Sequence, residues 1–172
     1  MRRSLSRGDS DETRKAERSR RRIAIAWTLV VIWAAIVWFL GTDAFSLRNT
    51  SDVMGVWLDW LIGDMDYRTR YRIYLGARKA AHVVEYAILA LLTFRAALIT
   101  AHRHQIATAC SAALFIVATL ASADEARQAL SDARTGSPWD VLIDLTGGVI
   151  AVTGVLVISR RMRGAPQTQP TA

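Results

Sequence analysis

One cysteine, Cys110, in 172 residues leaves this chain without a disulfide framework. No glycine-rich phosphate loop occurs, so the usual backbone cradle for a nucleotide or coenzyme A is missing too. The chain is also too short for two ordinary domains, which leaves little length for a soluble catalytic unit beside any other element. A hydrophobic content of 52% excludes a disordered protein. The mean hydropathy of +0.19 is nevertheless too modest to identify a membrane protein from averages. A formal charge of +7 fits either nucleic acid or a membrane surface.

What is present is unevenly distributed. Residues 1–22 carry nine Lys/Arg and four Asp/Glu, and Ile23 to Leu40 then runs apolar except for Thr28. The long polar leader, the three Trp in the run and the Gly-Thr-Asp-Ala-Phe-Ser that follows fit an uncleaved helix better than a signal peptide. Three further stretches, residues 80–99, 106–123 and 139–159, have the same length and character. At 1.5 Å per residue each crosses a hydrocarbon core of about 30 Å. The expected fold is therefore all-α, a polytopic membrane protein with a four-helix transmembrane bundle. The alternative is a soluble helical protein with unusually apolar helices. Residues 1–22 read as a basic flexible cytoplasmic tail, 23–160 as the transmembrane domain and 161–172 as a disordered cytoplasmic tail.

Charge gives the orientation. The leader, the 95–105 connection and the chain end hold an excess of ten positive charges, whereas residues 42–79 and 124–138 together sum to zero. By the positive-inside rule both termini are cytoplasmic, in the inner membrane of a cell. Basicity thus records topology, and the bilayer explains it without nucleic acid. Val53, Val56, Trp57, Trp60 and Leu61 recur at helical spacing within residues 52–63, which predicts a short outer interfacial helix. The Tyr/Arg-rich stretch after it, residues 67–79, reads as a headgroup contact or a lid.

Three acids, Glu85, Asp140 and Asp144, remain inside the apolar segments, where an ionised carboxylate costs about 2.5 kcal/mol or more and usually faces the bundle interior. Lys79, His82, Glu85 and Tyr86 share one side of the second helix, Asp124, Glu125 and Gln128 stand where the third leaves the membrane, and Asp140 and Asp144 share a face of the fourth. Topology brings all of them to one outer level. Gly147, Ala151 and Gly154 form a small-residue stripe suited to close helix approach or a homodimer. Cys110 reads as packing.

KAAHVVEYAILALL followed by ADEARQALSDARTGSPWDVLIDLTGG resembles the VanZ-like family of small bacterial membrane proteins over residues 25–160. Its Lys-x-x-His with a Tyr four residues on falls on Lys79, His82 and Tyr86, its Asp-Glu-x-x-Gln on Asp124, Glu125 and Gln128, its Gly-Arg-x-Gly-Ser around Arg134, Gly136 and Ser137, and its Asp-x-x-x-Asn-x-x-Gly on Asp140, Asp144 and Gly147. Ala133 replaces the usual Gly and Asp144 the usual Asn, which adds one potential negative charge. The resemblance implies a cell-envelope role connected with low-level resistance to a glycopeptide antibiotic, teicoplanin.

The expectation is a protein that binds or modifies an anionic lipid or phosphate-bearing cell-wall precursor at the outer face. Lys79 and Arg134 would hold phosphate, His82 would transfer a proton, and Glu125 or Asp140 would orient it or activate water. Tyr86, Asp124, Gln128 and Asp144 complete the binding side chains. No cofactor is expected, although Asp124, Glu125, His82 and Asp140 have the chemistry for a divalent metal. A proton-coupled transporter with His82, Glu85 and Asp144 as relay is weakened by the scarcity of polar residues in the inner halves of the helices. A scaffold locked by an ion network is the third reading.

Overall fold

The computed structural model describes residues 3–42, 60, 63, 66–101, 105–130 and 137–164. Four long helices account for nearly all of them: α1 (Arg3–Leu40), α2 (Tyr67–Thr100), α3 (Ile106–Ala129) and α4 (Pro138–Gly164). No strand occurs among the described residues. Each helix contains an 18-residue stretch apolar enough to cross a membrane. The bundle is also apolar on its outside: Val31, Phe39, Phe115, Ile150 and Ile158 are all 60% or more exposed. Such surfaces are stable only against lipid, so the chain is a multi-pass, all-α membrane protein.

Two helices are longer than their apolar runs. α1 begins at Arg3, so backbone helix extends through most of the polar leader; its Arg, Lys and Glu residues are good helix formers, and Lys15 pairs with Glu12 one turn away at 3.7 Å. α2 has 34 residues, about 51 Å at its rise per residue. Residues 67–79 are thus an uninterrupted helical continuation of the second span rather than a separate lid. Asp66 caps it, accepting from the Thr69 backbone N–H at 3.2 Å, and its hydrogen bonds to Thr69 hold the Asp66 carboxyl below its ordinary range. The expected interfacial helix over residues 52–63 lies outside the described residues, apart from Trp60 and Gly63.

α2 is the central helix. It packs on α1, α3 and α4, while α3 also packs on α4 and only lightly on α1. Its buried face runs Tyr86, Leu89, Ala90, Thr93, Phe94 and Ala97, at spacings of three and four. α3 answers with Ala109, Ala113, Val117 and Ala121, a row every fourth residue. Small side chains let the backbones approach closely in lipid, where apolar burial gives no sorting force. Gly147 shows the tightest approach: a β-carbon there would collide with the Val83 carbonyl of α2. α1 is fastened to α2 by two indoles, Trp33 Nε1 donating to the Glu85 carbonyl at 2.9 Å and Trp27 Nε1 to Thr100 Oγ1 at 3.0 Å.

Candidate functional site

The chain alternates direction, so α1 and α3 end where α2 and α4 begin. At that end the apolar core gives way to polar side chains from α2, α3 and α4, with the Trp38 carbonyl of α1 beside them. Buried polar residues elsewhere reduce to Thr93 among the described residues.

On the α1–α3 side the Asp124 carboxylate and the Gln128 amide have protein partners, and of the Arg127 guanidinium Nε alone is buried without one. Asp124, 2% exposed, accepts from the Arg127 guanidinium and from Gln128 Nε2 at 2.7 Å. Arg127 also donates to the Trp38 carbonyl at 3.1 Å and lies 4.3 Å from the centre of the Trp38 ring, a cation–π contact. Gln128 Oε1 in turn accepts from Arg78 at 3.2 Å. Gly41, just past the end of α1, lies against Asp124 and Arg127 so closely that a side chain there would overlap them. The cluster ties α1, α2 and α3 together.

The α2–α4 side is differently built. Lys79 and Asp140 pair at 2.9 Å at the mouth, both about two-fifths exposed. Below them His82 Nδ1 stands 3.7 Å from Glu85 Oε2 and 4.0 Å from Asp144 Oδ1, reach for electrostatic attraction rather than a close hydrogen bond. The Tyr86 ring stacks on the imidazole, with centroids 6.4 Å apart and planes at 20°. Tyr86 is wholly buried, and its hydroxyl has no hydrogen-bond partner among the described residues. Glu125 reaches across from α3 and accepts the backbone N–H of Ser137. Ser137 opens α4 by accepting at Oγ from the Trp139 N–H, with Pro138 in the first helical position and Asp140 in the first turn.

The structure thus brings together Lys79, His82, Tyr86, Asp124, Glu125, Gln128, Asp140 and Asp144, drawn from α2, α3 and α4. It divides them into two groups that spacing alone did not separate. Arg134 and Gly136 lie outside the described residues. Among the described residues no three His, Cys, Asp or Glu side chains converge to hold a metal ion, so the four candidate metal ligands do not form a common site. Gly147 and Ala151 are engaged within the chain, against Val83 and the core respectively, which removes them from a simple dimer stripe; a β-carbon added at Gly154 would meet no heavy atom of the described residues within 4 Å.

Sequence reasoning missed Arg78, Arg127, Trp38 and Gly41. Arg127 carried a usable signal, standing one turn after Asp124 on the same helix. Arg78 carried one as well, standing one turn before His82 and next to Lys79. Nothing in the sequence joined Trp38, at the end of α1, to Arg127, 89 positions later, or Gly41 to Asp124.

The family model described as VanZ/LLP1 matches residues 25–159. No curated protein and no solved structure matches the chain.

Proposed function

Because the chain belongs to the VanZ/LLP1 family, whose model spans most of its length, we propose that it binds or modifies a phosphate-bearing lipid or cell-wall precursor at the outer face of the cytoplasmic membrane. The positive-inside distribution of Lys/Arg supports this orientation, with both termini cytoplasmic and the polar helix ends outside. The family resemblance supplies the link to the envelope and to glycopeptide resistance.

The observation that carries the reading is the layered α2–α4 side of the site. Its mouth is an exposed ion pair, Lys79–Asp140, which costs little to exchange for another partner. A phosphate arriving there takes Lys79 from Asp140, with Arg78 beside it and Arg134 from the preceding connection. His82 lies one turn deeper, between Glu85 and Asp144, placed to accept a proton from the bound group or return one to it. Asp140, released from Lys79, and Glu125, on α3 against the start of α4, are the carboxylates that would orient water. Tyr86 lines the floor. Asp124 and Gln128 act through the position of α3, because their polar atoms are already engaged.

A scaffold is the second reading, favoured by the saturated cluster around Asp124. It accounts for that side and leaves the α2–α4 side unexplained. A through-membrane proton path gains little support, since Thr93 is the lone buried polar side chain in the other half among the described residues.

The test uses the purified full chain in maltoside micelles, titrated with dioleoyl phosphatidic acid and, as control, dioleoyl glycerol. Saturable binding of the phosphatidic acid, weakened at least tenfold in Arg78→Ala/Lys79→Ala, is expected. Equal binding of both lipids, or no effect of the double replacement, contradicts the reading.

A further inference from the structure

Beneath the mouth, the charge of the site has the opposite sign from that needed to hold a phosphate. Among the described residues joined in these contacts, five carboxylates, Glu85, Asp124, Glu125, Asp140 and Asp144, face three cations, Arg78, Lys79 and Arg127. Asp124 and Asp140 each have a cation in direct contact. Glu125 has a backbone N–H. The carboxylates of Asp144 and Glu85 receive no hydrogen bond from any described residue; the imidazole of His82 lies within 4.0 Å of both, and Arg78 is within electrostatic range of Glu85.

A second observation points into the same space. The Tyr86 hydroxyl is fully buried without a partner among the described residues, although four carboxylates, those of Asp144, Asp124, Glu85 and Glu125, lie within electrostatic range of it. Side chains on a helix lean toward its N-terminus, which for α2 is the site end, and the Tyr86 ring accordingly stacks with His82, one turn nearer that end and beside the two carboxylates. A buried polar group without a partner calls for an explanation, and Tyr86 differs from Thr93 and Arg127, also in this condition, in lying beside carboxylates that lack donors among the described residues. Here the missing component must donate to Asp144 and Glu85 and contribute positive charge, and the phenolic oxygen, which can accept as well as donate, is able to accept from it. A primary ammonium does all three; a quaternary ammonium has no N–H to give, and a phosphate has the wrong sign.

We propose that the deep half of the site, formed by Glu85, Tyr86 and Asp144 around His82, binds a primary ammonium group, so that the ligand class is a zwitterionic head group carrying both a phosphate and a primary amine. This rests on the reading of the mouth as a phosphate site, and it adds the second half of the recognition. His82 stands between the two carboxylates at the entrance, and its ring packs on Tyr86 to hold the phenol in place. Asp144 is the specificity-determining residue, the position where this chain carries one acid more than its motif.

The experiment measures binding of three lipids of identical acyl chains to the full chain in maltoside micelles: phosphatidylethanolamine with phosphate and primary amine, phosphatidylcholine with phosphate and quaternary amine, and phosphatidic acid with phosphate alone. Phosphatidylethanolamine is expected to bind at least tenfold more tightly than either of the others. Asp144→Asn is expected to bring the ratio of phosphatidylethanolamine to phosphatidic acid close to one, and Tyr86→Phe, which keeps the ring and its packing, to reduce it several-fold. Equal binding of the three lipids by the wild-type chain, or an unchanged ratio in both variants, overturns the proposal while leaving the phosphate reading intact. Ethylamine separates the two in the other direction. Thermal protection of the wild-type chain by ethylamine, lost in Asp144→Asn, supports the ammonium site even where no phosphate lipid binds, and the absence of such protection together with no phosphatidylethanolamine preference refutes it.

Discussion

Asp124 and Asp144 are both buried carboxylates at the same end of one bundle, 2% and 4% exposed, and their surroundings differ in kind. Asp124 is enclosed by Arg127, Gln128 and the end of α1, with a donor for each oxygen. Asp144 faces an imidazole at 4.0 Å and no closer donor among the described residues. Burial by itself therefore does not mark function. What separates a locking carboxylate from an available one is whether the protein itself completes its hydrogen bonds.

The largest effect that comparison predicts is on the locked side. Asp124→Ala strands the partly buried Arg127 and frees Gln128, and removing one partner of such a pair costs about 3 kcal/mol or more; loss of most folded protein from the membrane fraction is the expected outcome. A milder loss than that of a Lys79→Ala chain would break the distinction. Gly147→Val comes next. Its side chain meets the Val83 carbonyl, so α2 and α4 must separate, at a cost of about 1–3 kcal/mol read as a lowered unfolding temperature. Gly148→Ala sharpens the contrast, because the added methyl finds Val117 and Ala90 at ordinary contact distances of 3.4–3.5 Å and is expected to be neutral. Trp33→Phe removes the indole bond to the Glu85 carbonyl and should cost about 1 kcal/mol. Smallest is Lys79→Ala, whose half-exposed pair with Asp140 contributes less than about 1 kcal/mol to stability while lipid binding falls.

Much of this arrangement was readable in the sequence because membrane helices announce themselves by length, and alternation of the spans then fixes which helix ends meet. Lys79, His82, Tyr86, Asp140 and Asp144 lie on faces that helical spacing alone assigns. The division into a saturated and an available group was not readable. It depends on the Trp38 carbonyl, the Trp38 ring and the space left by Gly41, contacts between residues far apart in the chain for which periodicity has no signal. Where each helix ends was not legible either, for a different reason. Hydropathy reports where a helix sits in lipid, and α2 continues for residues 67–79 beyond its apolar run because the Arg- and Tyr-containing stretch still favours helix and Asp66 caps it. The all-round apolar character of α3 and α4 likewise hid which face turns inward, since in lipid both faces are apolar and only small residues and acids distinguish the interior.

The direct test of the distinction is thermal unfolding of Asp124→Asn and Asp144→Asn chains side by side in one detergent. The two changes are chemically identical and both sites are buried. Asp124→Asn should lower the unfolding temperature by several degrees because Arg127 loses its counter-charge, whereas Asp144→Asn should leave it unchanged or raise it, since an incompletely bonded buried carboxylate is replaced by a neutral amide. A loss in Asp144→Asn as large as that in Asp124→Asn would contradict the account and make the whole end of the bundle a structural network.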